Sequence, residues 1–184
     1  MPQDVDYVFI EGYLVQNHEL IERAVELSHQ RGAKVCLDLA SWNIVESEHA
    51  FFERLLPNID IVFANEDEAR AMTGKIGKEA AHILAGPCHT AVVKCGPRGA
   101  FAVQGDHCVC EPATEVAHVI DTTGAGDFFA GGFLHRHALG GSLAQCLIEG
   151  SACAGEVIQV IGTQLPETTW QRLRAQSALR HDKN

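Results

Sequence analysis

The chain has 184 residues, a formal net charge of −10 at pH 7 and 46% hydrophobic residues. This length is enough for one domain with a sizeable core, and we predict that residues 1–184 form a single domain. The excess of acidic residues argues against a nucleic-acid or membrane partner, because a protein that binds such an anionic surface is expected to carry a basic patch. No apolar run approaches the ~20 residues that cross a bilayer, and the N-terminus lacks the basic-then-apolar pattern of a signal peptide.

The cysteines indicate a reducing compartment. Their number, 7, is odd, and most have apolar neighbours, so we predict reduced thiols and a cytoplasmic protein. Cys108 and Cys110 would share one face of a strand, but no second cysteine pair or nearby histidine pattern completes a zinc site.

Apolar runs alternate with helix-like repeats along the first half of the chain. Residues 7–10 predict a buried strand. Residues 17–30 predict a helix, ended by Gly32, with Leu20, Ile21, Ala24 and Leu27 on its apolar face. We then expect strands over 34–38 and 59–64 and helices over 47–56, 66–72 and 77–84.

The second half continues the alternation. We expect a strand over 90–94, a hairpin of 100–104 with 107–110, and helices over 125–139, 142–160 and 168–179. Apolar strands that alternate with helices predict an α/β fold with a mostly parallel sheet covered on both sides. Ligands of such sheets bind beyond the carboxyl ends of the strands. Those ends carry Glu11-Gly12, Asp38, Asn65, Lys94-Cys95-Gly96 and Asp121.

A glycine-rich turn precedes the helix predicted at residue 125. It reads Asp121-Thr122-Thr123-Gly124-Ala125-Gly126-Asp127. With so little side-chain bulk, its backbone N–H groups can face an anion, and the helix dipole also favours negative charge there. Asp127 would repel a phosphate, but it makes chemical sense as the base that takes the proton of an attacking hydroxyl. The alternative is a plain turn, with Asp127 as a first-turn partner of the dipole.

The run resembles the signature of the ribokinase-like (PfkB) family of sugar and nucleoside kinases. The resemblance implies a three-layer α/β/α sandwich around a mostly parallel sheet. It also implies that Gly124, Ala125 and Gly126 form an anion hole and that Asp127 is the catalytic base. ATP would be the phosphoryl donor, and the acceptor would be a hydroxymethyl group of a sugar or a nucleoside.

A second motif supports the resemblance. Asn65 and Glu68 match the family's Asn-x-x-Glu pattern, which implies a magnesium site reached through water. Residues three apart on a first helical turn lie on the same side, so both would face the strand-end crevice. The alternative is an Asn N-cap with Glu at the third helical position, which is compatible with function.

A third motif is Lys94-Cys95-Gly96-Pro97-Arg98-Gly99, which resembles the family's nucleotide-binding turn. Gly96 and Gly99 would allow close backbone approach, and Lys94 or Arg98 could reach a phosphate. The alternative is a tight turn that needs glycine for positive φ. Thr123 and Asp121 also match positions near a monovalent-cation site in many relatives, so K⁺ is a further candidate ligand.

The resemblance covers the carboxyl-terminal part of the family pattern. Its amino-terminal strands, Gly-Gly substrate turn and small β lid have no counterpart before Tyr7. A nucleotide-binding module without catalysis is therefore an alternative to an active kinase, and self-association through an exposed sheet edge is left open. The segments from Glu11 and Asp38 resemble the adenosine-kinase or sugar-kinase branch, although the Asp-Pro-Asn of many relatives is absent at Asp38. A Rossmann-type oxidoreductase is excluded because no early Gly-x-Gly-x-x-Gly is present.

Overall fold

A six-stranded sheet runs through the computed structural model, which describes residues 5–181. The strands follow one another in chain order across the sheet. The first four are parallel, and the fifth is antiparallel to the fourth. This confirms the predicted α/β fold with a mostly parallel sheet. The strands are β1 Tyr7–Glu11, β2 Lys34–Asp38, β3 Ile61–Asn65, β4 Thr90–Lys94, β5 Ala100–Gln104 and β6 His107–Glu111.

Helices connect the parallel strands. Helix α1 starts after Asn17, whose side-chain oxygen accepts the N–H of Leu20 at 3.1 Å, and Gly32 follows the helix with a φ of +73°. The helices of this part are α1 His18–His29, α2 Trp42–Ser47, α3 His49–Leu55, α4 Glu66–Thr73 and α5 Gly77–Leu84.

Two details of the sequence prediction were wrong. The helix expected over 47–56 begins only at His49, because the backbone at Glu48 is not helical (φ −112°, ψ 20°), and the preceding helix Trp42–Ser47 was not predicted. On α1 the buried positions are Ile21, Val25 and Ser28, whereas Leu20 is 51% exposed. Ile21, Val25 and Ser28 follow the spacing i, i+4, i+7 and share one face, and Leu20 lies about 100° away from Ile21 around the helix.

The main hydrophobic core lies where α1–α5 meet the sheet. Side chains at alternate positions of the central strands, among them Val35, Leu37, Val62 and Val93, are fully buried in it. Each such side chain contributes roughly 1.5–3 kcal/mol of transfer free energy. Burial of these side chains therefore determines which residues of each strand lie at the carboxyl edge of the sheet.

Three further helices follow the strands: α6 Ala125–Ala138, α7 Leu143–Val157 and α8 Glu167–His181. Helices α6 and α7 approach closely through glycines on both sides. A Cβ at Gly132 would lie 2.7 Å from the carbonyl oxygen of Glu149, and a Cβ at Gly150 would lie 2.7 Å from that of Phe129. Each glycine thus permits a backbone contact that any larger residue would prevent.

The described chain forms two compact units. The first comprises residues 5–95 with Ala100–Val109, and the second comprises residues 110–181 with Gly96–Gly99. The assignment of residues 1–184 to a single domain stays a prediction. Within residues 5–181, no helix combines the length and the apolar character that a membrane crossing requires.

Candidate active site

The carboxyl ends of the parallel strands bring polar residues together in the first unit. The register places Glu11 opposite Asp38 and Asn65 opposite Lys94. These are strand-end residues that the sequence predicted at one edge. These polar residues lie at one edge because the apolar run of each strand ends at the same level of the sheet.

Asn65 and Glu68 form a reciprocal cap at the start of α4. Oδ1 of Asn65 accepts the N–H of Glu68 at 2.9 Å, and Oε2 of Glu68 accepts the backbone N–H of Asn65 at 2.7 Å. The Asn65 amide also donates to Oε1 of Glu68 at 2.5 Å. The capping interpretation of this motif is therefore confirmed.

The Glu68 carboxyl is buried, with 3% of the residue exposed. Burial raises the pKa of Glu68 to about 7, and the charge of Asp38 adds to that rise. The hydrogen bond from the Asn65 backbone and the charge of Lys94 act in the opposite direction. Near neutral pH, this carboxyl can therefore be either protonated or charged.

Lys94 pairs with Asp38 at the same edge. Its ammonium nitrogen lies 2.8 Å from Oδ2 of Asp38, and the side chains are only 16% and 13% exposed. Oδ1 of Asp38 accepts the N–H of Ala40 at 2.8 Å, and Ala40 has a φ of +65°, which is rare for a residue other than glycine. Sequence reasoning expected Lys94 to reach a phosphate, but it did not identify Asp38 as its partner.

The loop Gly96–Gly99 belongs to the second unit and begins with a 3₁₀ turn, Gly96–Arg98. Gly99 has a φ of +93°, and a Cβ there would lie 2.0 Å from the carbonyl oxygen of Glu111. Gly96 has a φ of +56°, but an added Cβ would meet nothing within 4 Å. The fold therefore requires glycine at position 99, whereas the space beside the Cα of Gly96 is empty.

The Asp121 carboxylate holds the glycine-rich turn through hydrogen bonds. Its Oδ1 accepts the N–H of Thr123 at 2.9 Å and the Thr123 hydroxyl at 2.7 Å, while Oδ2 accepts the N–H of Gly162 at 2.9 Å. The Thr123 backbone bond, followed by those from Gly162 and the Thr123 hydroxyl, lowers the pKa of Asp121. Both carboxylate oxygens are thus used in holding the turn.

Gly124 is the N-cap residue of α6. Its φ is +76°, and a Cβ there would lie 2.7 Å from Cγ2 of Thr163. Thr163 is a contact that sequence reasoning missed, since nothing in the spacing of these residues signals it.

The first turn of α6 contains the backbone N–H groups for which anion binding was predicted. Within residues 5–181, the N–H groups of Gly126 and Asp127 have no hydrogen-bond acceptor, whereas that of Ala125 bonds to the Thr122 carbonyl at 3.1 Å. The Asp127 side chain is exposed. N–H groups without acceptors and an exposed carboxylate in one helical turn are what a phosphate and a hydroxyl would need.

The first unit therefore holds Asp38, Asn65, Glu68 and Lys94, and the second holds the glycine loop and the turn Asp121–Asp127. No group of three or more His, Cys, Asp or Glu side chains suited to a metal occurs in the described part of the chain. Cys108 and Cys110 are free thiols.

Comparison with known proteins identifies the family. The profile of the pfkB family carbohydrate kinases matches residues 2–170. The chain belongs to this family. The chain is 28% identical to the 2-dehydro-3-deoxygluconokinase of Haemophilus influenzae over 193 residues, which covers 95% of the chain and 60% of that enzyme.

Two solved structures have the same fold. A probable sugar kinase from Rhizobium etli superposes with a TM-score of 0.88 at 32% identity, and covers 95% of this chain and 55% of its own. The adenosine kinase of Sinorhizobium meliloti gives a TM-score of 0.88 at 31% identity, with the same coverage of 95% and 55%. The ribokinase-like fold class is thereby confirmed. This pfkB-family chain spans little more than half the length of these relatives.

Proposed function

We propose that this pfkB-family chain carries the phosphoryl-transfer machinery of an ATP-dependent kinase whose acceptor is a hydroxymethyl group of a sugar or nucleoside. The observation that carries the proposal is the start of α6. There, N–H groups without acceptors among residues 5–181 lie beside the exposed carboxylate of Asp127.

In the proposed reaction, the turn Gly124–Asp127 binds the γ-phosphate of ATP. Asp127 accepts the proton of the acceptor hydroxyl, whose oxygen forms a bond to the γ-phosphorus. The bond between that phosphorus and the bridging oxygen breaks, and ADP leaves with the electron pair. The N–H groups of Gly126 and Asp127 stabilise the charge on the transferred phosphoryl oxygens, as oriented backbone donors do.

Binding of the nucleotide is assigned to the remaining motif residues. Gly96 leaves open space at its Cα, and Gly99 fixes the loop against Glu111. Lys94 would exchange or share its bond to Asp38 when it meets a phosphate. Thr123 orders the turn through Asp121.

At both candidate metal positions, Asn65 with Glu68 and Asp121, the side-chain oxygens already accept hydrogen bonds. Every oxygen of the Asn65 and Glu68 side chains already accepts a hydrogen bond from the other residue, so direct ligation of Mg²⁺ would compete with the bonds that cap α4. Magnesium keeps several waters and relies on substrate phosphates, and a contact through water is compatible with this pair. Both carboxylate oxygens of Asp121 likewise accept hydrogen bonds, from Thr123 and Gly162, so binding of K⁺ stays a prediction.

The test combines calorimetry and turnover. Titration of the chain with ATP, with and without Mg²⁺, measures binding, and ADP release is then measured with ribose, adenosine and 2-dehydro-3-deoxygluconate as acceptors. We expect Asp127→Asn to lower turnover by about a hundredfold or more while it retains ATP binding. The matched control is Asp106→Asn, which removes an exposed carboxylate in a hairpin turn. Equal turnover of Asp127→Asn and the unchanged chain would refute the role of Asp127 as base.

A second candidate is a nucleotide-binding module without catalysis. The chain spans 60% of the Haemophilus influenzae enzyme and 55% of the Rhizobium etli sugar kinase, so it matches only part of each relative. ATP binding without ADP release, for every acceptor tested, would support this candidate over the kinase.

A further inference from the structure

Helix α6 begins without the side-chain cap that α4 and α7 have. Asn65 caps α4 and Ser142 caps α7, each through a reciprocal pair of hydrogen bonds. The N-cap of α6 is Gly124, and no side chain within residues 5–181 provides a cap in its place. A side-chain cap would occupy the N–H groups that the proposed function assigns to phosphate. The first turn of α6 therefore needs other contacts to keep its geometry.

The segment between α7 and α8 holds the turn that precedes α6. The N–H of Gly162 donates to Oδ2 of Asp121 at 2.9 Å. A Cβ at Gly124 would lie 2.7 Å from Cγ2 of Thr163, so these two residues also lie close together. Both contacts involve residues up to Gly124 and leave the first turn of α6 itself to other side chains.

Phe128 connects this first turn to α8. Its N–H donates to the carbonyl of Gly124 at 2.9 Å, and its Cδ2 would lie 3.8 Å from a Cβ at Gly124. The Phe128 ring stacks on Trp170 of α8, with ring centroids 5.7 Å apart and planes 24° apart. Asp127 directly precedes Phe128 in the chain, so the position of this ring affects that of the proposed base.

Open space adjoins Phe128, so the ring depends on a partner to hold it. Phe128, Trp170 and Asp127 all line a cavity of about 550 Å³ between α6, α7 and α8. Gly131, one turn after Asp127, also lines the cavity, and a Cβ there would meet nothing within 4 Å. A side chain beside such a space has room for other rotamers unless a neighbouring group restrains it. The stack with Trp170 provides that restraint.

Helix α8 is anchored well enough to act as a support. Its Leu173 and Ser177 are only 9% and 6% exposed. The guanidinium of Arg172 pairs with the carboxylate of Glu156 on α7. Because these contacts fix α8 independently of Phe128, the Trp170 ring has a defined place beside the first turn of α6.

We propose that Trp170 is a positioning residue: by stacking on Phe128, it holds the uncapped first turn of α6 in the arrangement that directs the N–H groups of Gly126 and Asp127 at phosphate. The inference rests on the proposed function for the role of these N–H groups. It makes α8 part of the site, although no residue of α8 is assigned a contact with the nucleotide.

The first test compares ATP with ADP, because only ATP carries the γ-phosphate. Calorimetry on the full chain with Mg²⁺ measures both Kd values, and the ratio of the ADP Kd to the ATP Kd reports the contribution of the γ-phosphate. We expect Trp170→Ala to lower this ratio about tenfold, as the loss of a hydrogen bond to a charged group would. Trp170→Phe, which can still stack on Phe128, should keep the ratio. The control Leu173→Ala removes a buried side chain of α8 and should also keep it.

Amide hydrogen exchange tests the positioning without any nucleotide. The N–H of Phe128, which bonds to Gly124, should exchange about tenfold faster in Trp170→Ala and at the unchanged rate in Trp170→Phe. Phe133, fully buried in the middle of α6, is the internal reference and should not respond. An unchanged rate at Phe128, or equal acceleration at Phe128 and Phe133, would mean that the stack does not hold the first turn locally.

The two tests separate failure of the inference from failure of the proposed function. If the unchanged chain prefers ATP and Trp170→Ala keeps the same ratio, the positioning role is refuted while the phosphate role of the turn stands. If the unchanged chain binds ATP and ADP equally, the turn does not bind the γ-phosphate. Faster exchange at Phe128 in Trp170→Ala would then still support the support of the turn by Trp170.

Discussion

The ammonium nitrogen of Lys94 lies 2.8 Å from Oδ2 of Asp38, although 56 residues separate the two in sequence. Lys94 ends β4 and Asp38 ends β2, and β3 lies between these strands. The pair therefore spans the carboxyl edge, and both side chains are less than one-fifth exposed. A pair shielded in this way is costly to break from one side, because the remaining charge loses its partner.

We predict that Lys94→Met lowers the free energy of unfolding by about 2 kcal/mol, since Asp38 would keep only the N–H of Ala40. The control is Lys75→Met, which breaks the exposed pair with Glu79, whose atoms lie 3.4 Å apart. An exposed pair should contribute no more than about 0.5 kcal/mol. Urea unfolding measures the free energy of unfolding of both variants. Equal losses would mean that the pair of Lys94 with Asp38 stabilises the fold no more than an exposed pair does.

A second prediction concerns Gly124, whose backbone has the same φ as Gly140, +76°. A Cβ at Gly140 would meet nothing within 4 Å, whereas one at Gly124 would lie 2.7 Å from Thr163. Gly140→Ala should therefore cost only the backbone term, about 1 kcal/mol, and Gly124→Ala should cost about 2 kcal/mol more.

Thermal unfolding measures both losses, and Thr163→Ser separates their causes. Because serine lacks the Cγ2 that Gly124 approaches, adding Thr163→Ser to Gly124→Ala should recover the extra loss but not the backbone term. If the double variant is no more stable than Gly124→Ala, the contact with Thr163 does not explain the requirement for glycine.

The strands and most helices were predictable because they depend on local patterns. Apolar runs placed β2, β4 and β5 at their observed bounds, and the capping pair Asn65 and Glu68 marked the start of α4. Neither α2 nor the non-helical backbone at Glu48 was predicted, because no glycine or proline marks a boundary there.

The contacts of the candidate site were less predictable than its residues. The spacing of the glycine-rich turn identified Gly124 and Asp127, but neither Thr163 nor the bond from Gly162 to Asp121 has a local signal. The pairing of Lys94 with Asp38 depends on the order of strands across the sheet. Such tertiary relationships arise only when the strands and helices are packed together.

Thiol reactivity gives a third prediction. Burial raises the pKa of Cys36, Cys88 and Cys146 to about 12, so these thiols should resist alkylation in the folded protein. Cys110 is exposed and should react first with iodoacetamide, as followed by peptide mass spectrometry. Cys110→Ser should remove the fastest label, and prior unfolding in urea should expose Cys36, Cys88 and Cys146 to the reagent. Rapid labelling of Cys36 without unfolding would contradict the buried assignment.

The pH dependence of stability gives the fourth prediction. Burial raises the pKa of Glu68 from 4.5 to about 7, so the folded protein holds this proton more tightly than the unfolded chain does. The stabilisation is therefore complete below pH 4.5 and is lost as the pH rises to about 7. Relative to Glu68→Gln, which cannot titrate, the unchanged protein should lose up to about 3 kcal/mol across this window and stay level above it. Urea unfolding at pH 4.5, 6 and 8 measures the difference, with the exposed Glu79→Gln as control. Parallel pH profiles for the unchanged protein and Glu68→Gln would show that Glu68 titrates alike in the folded and unfolded states.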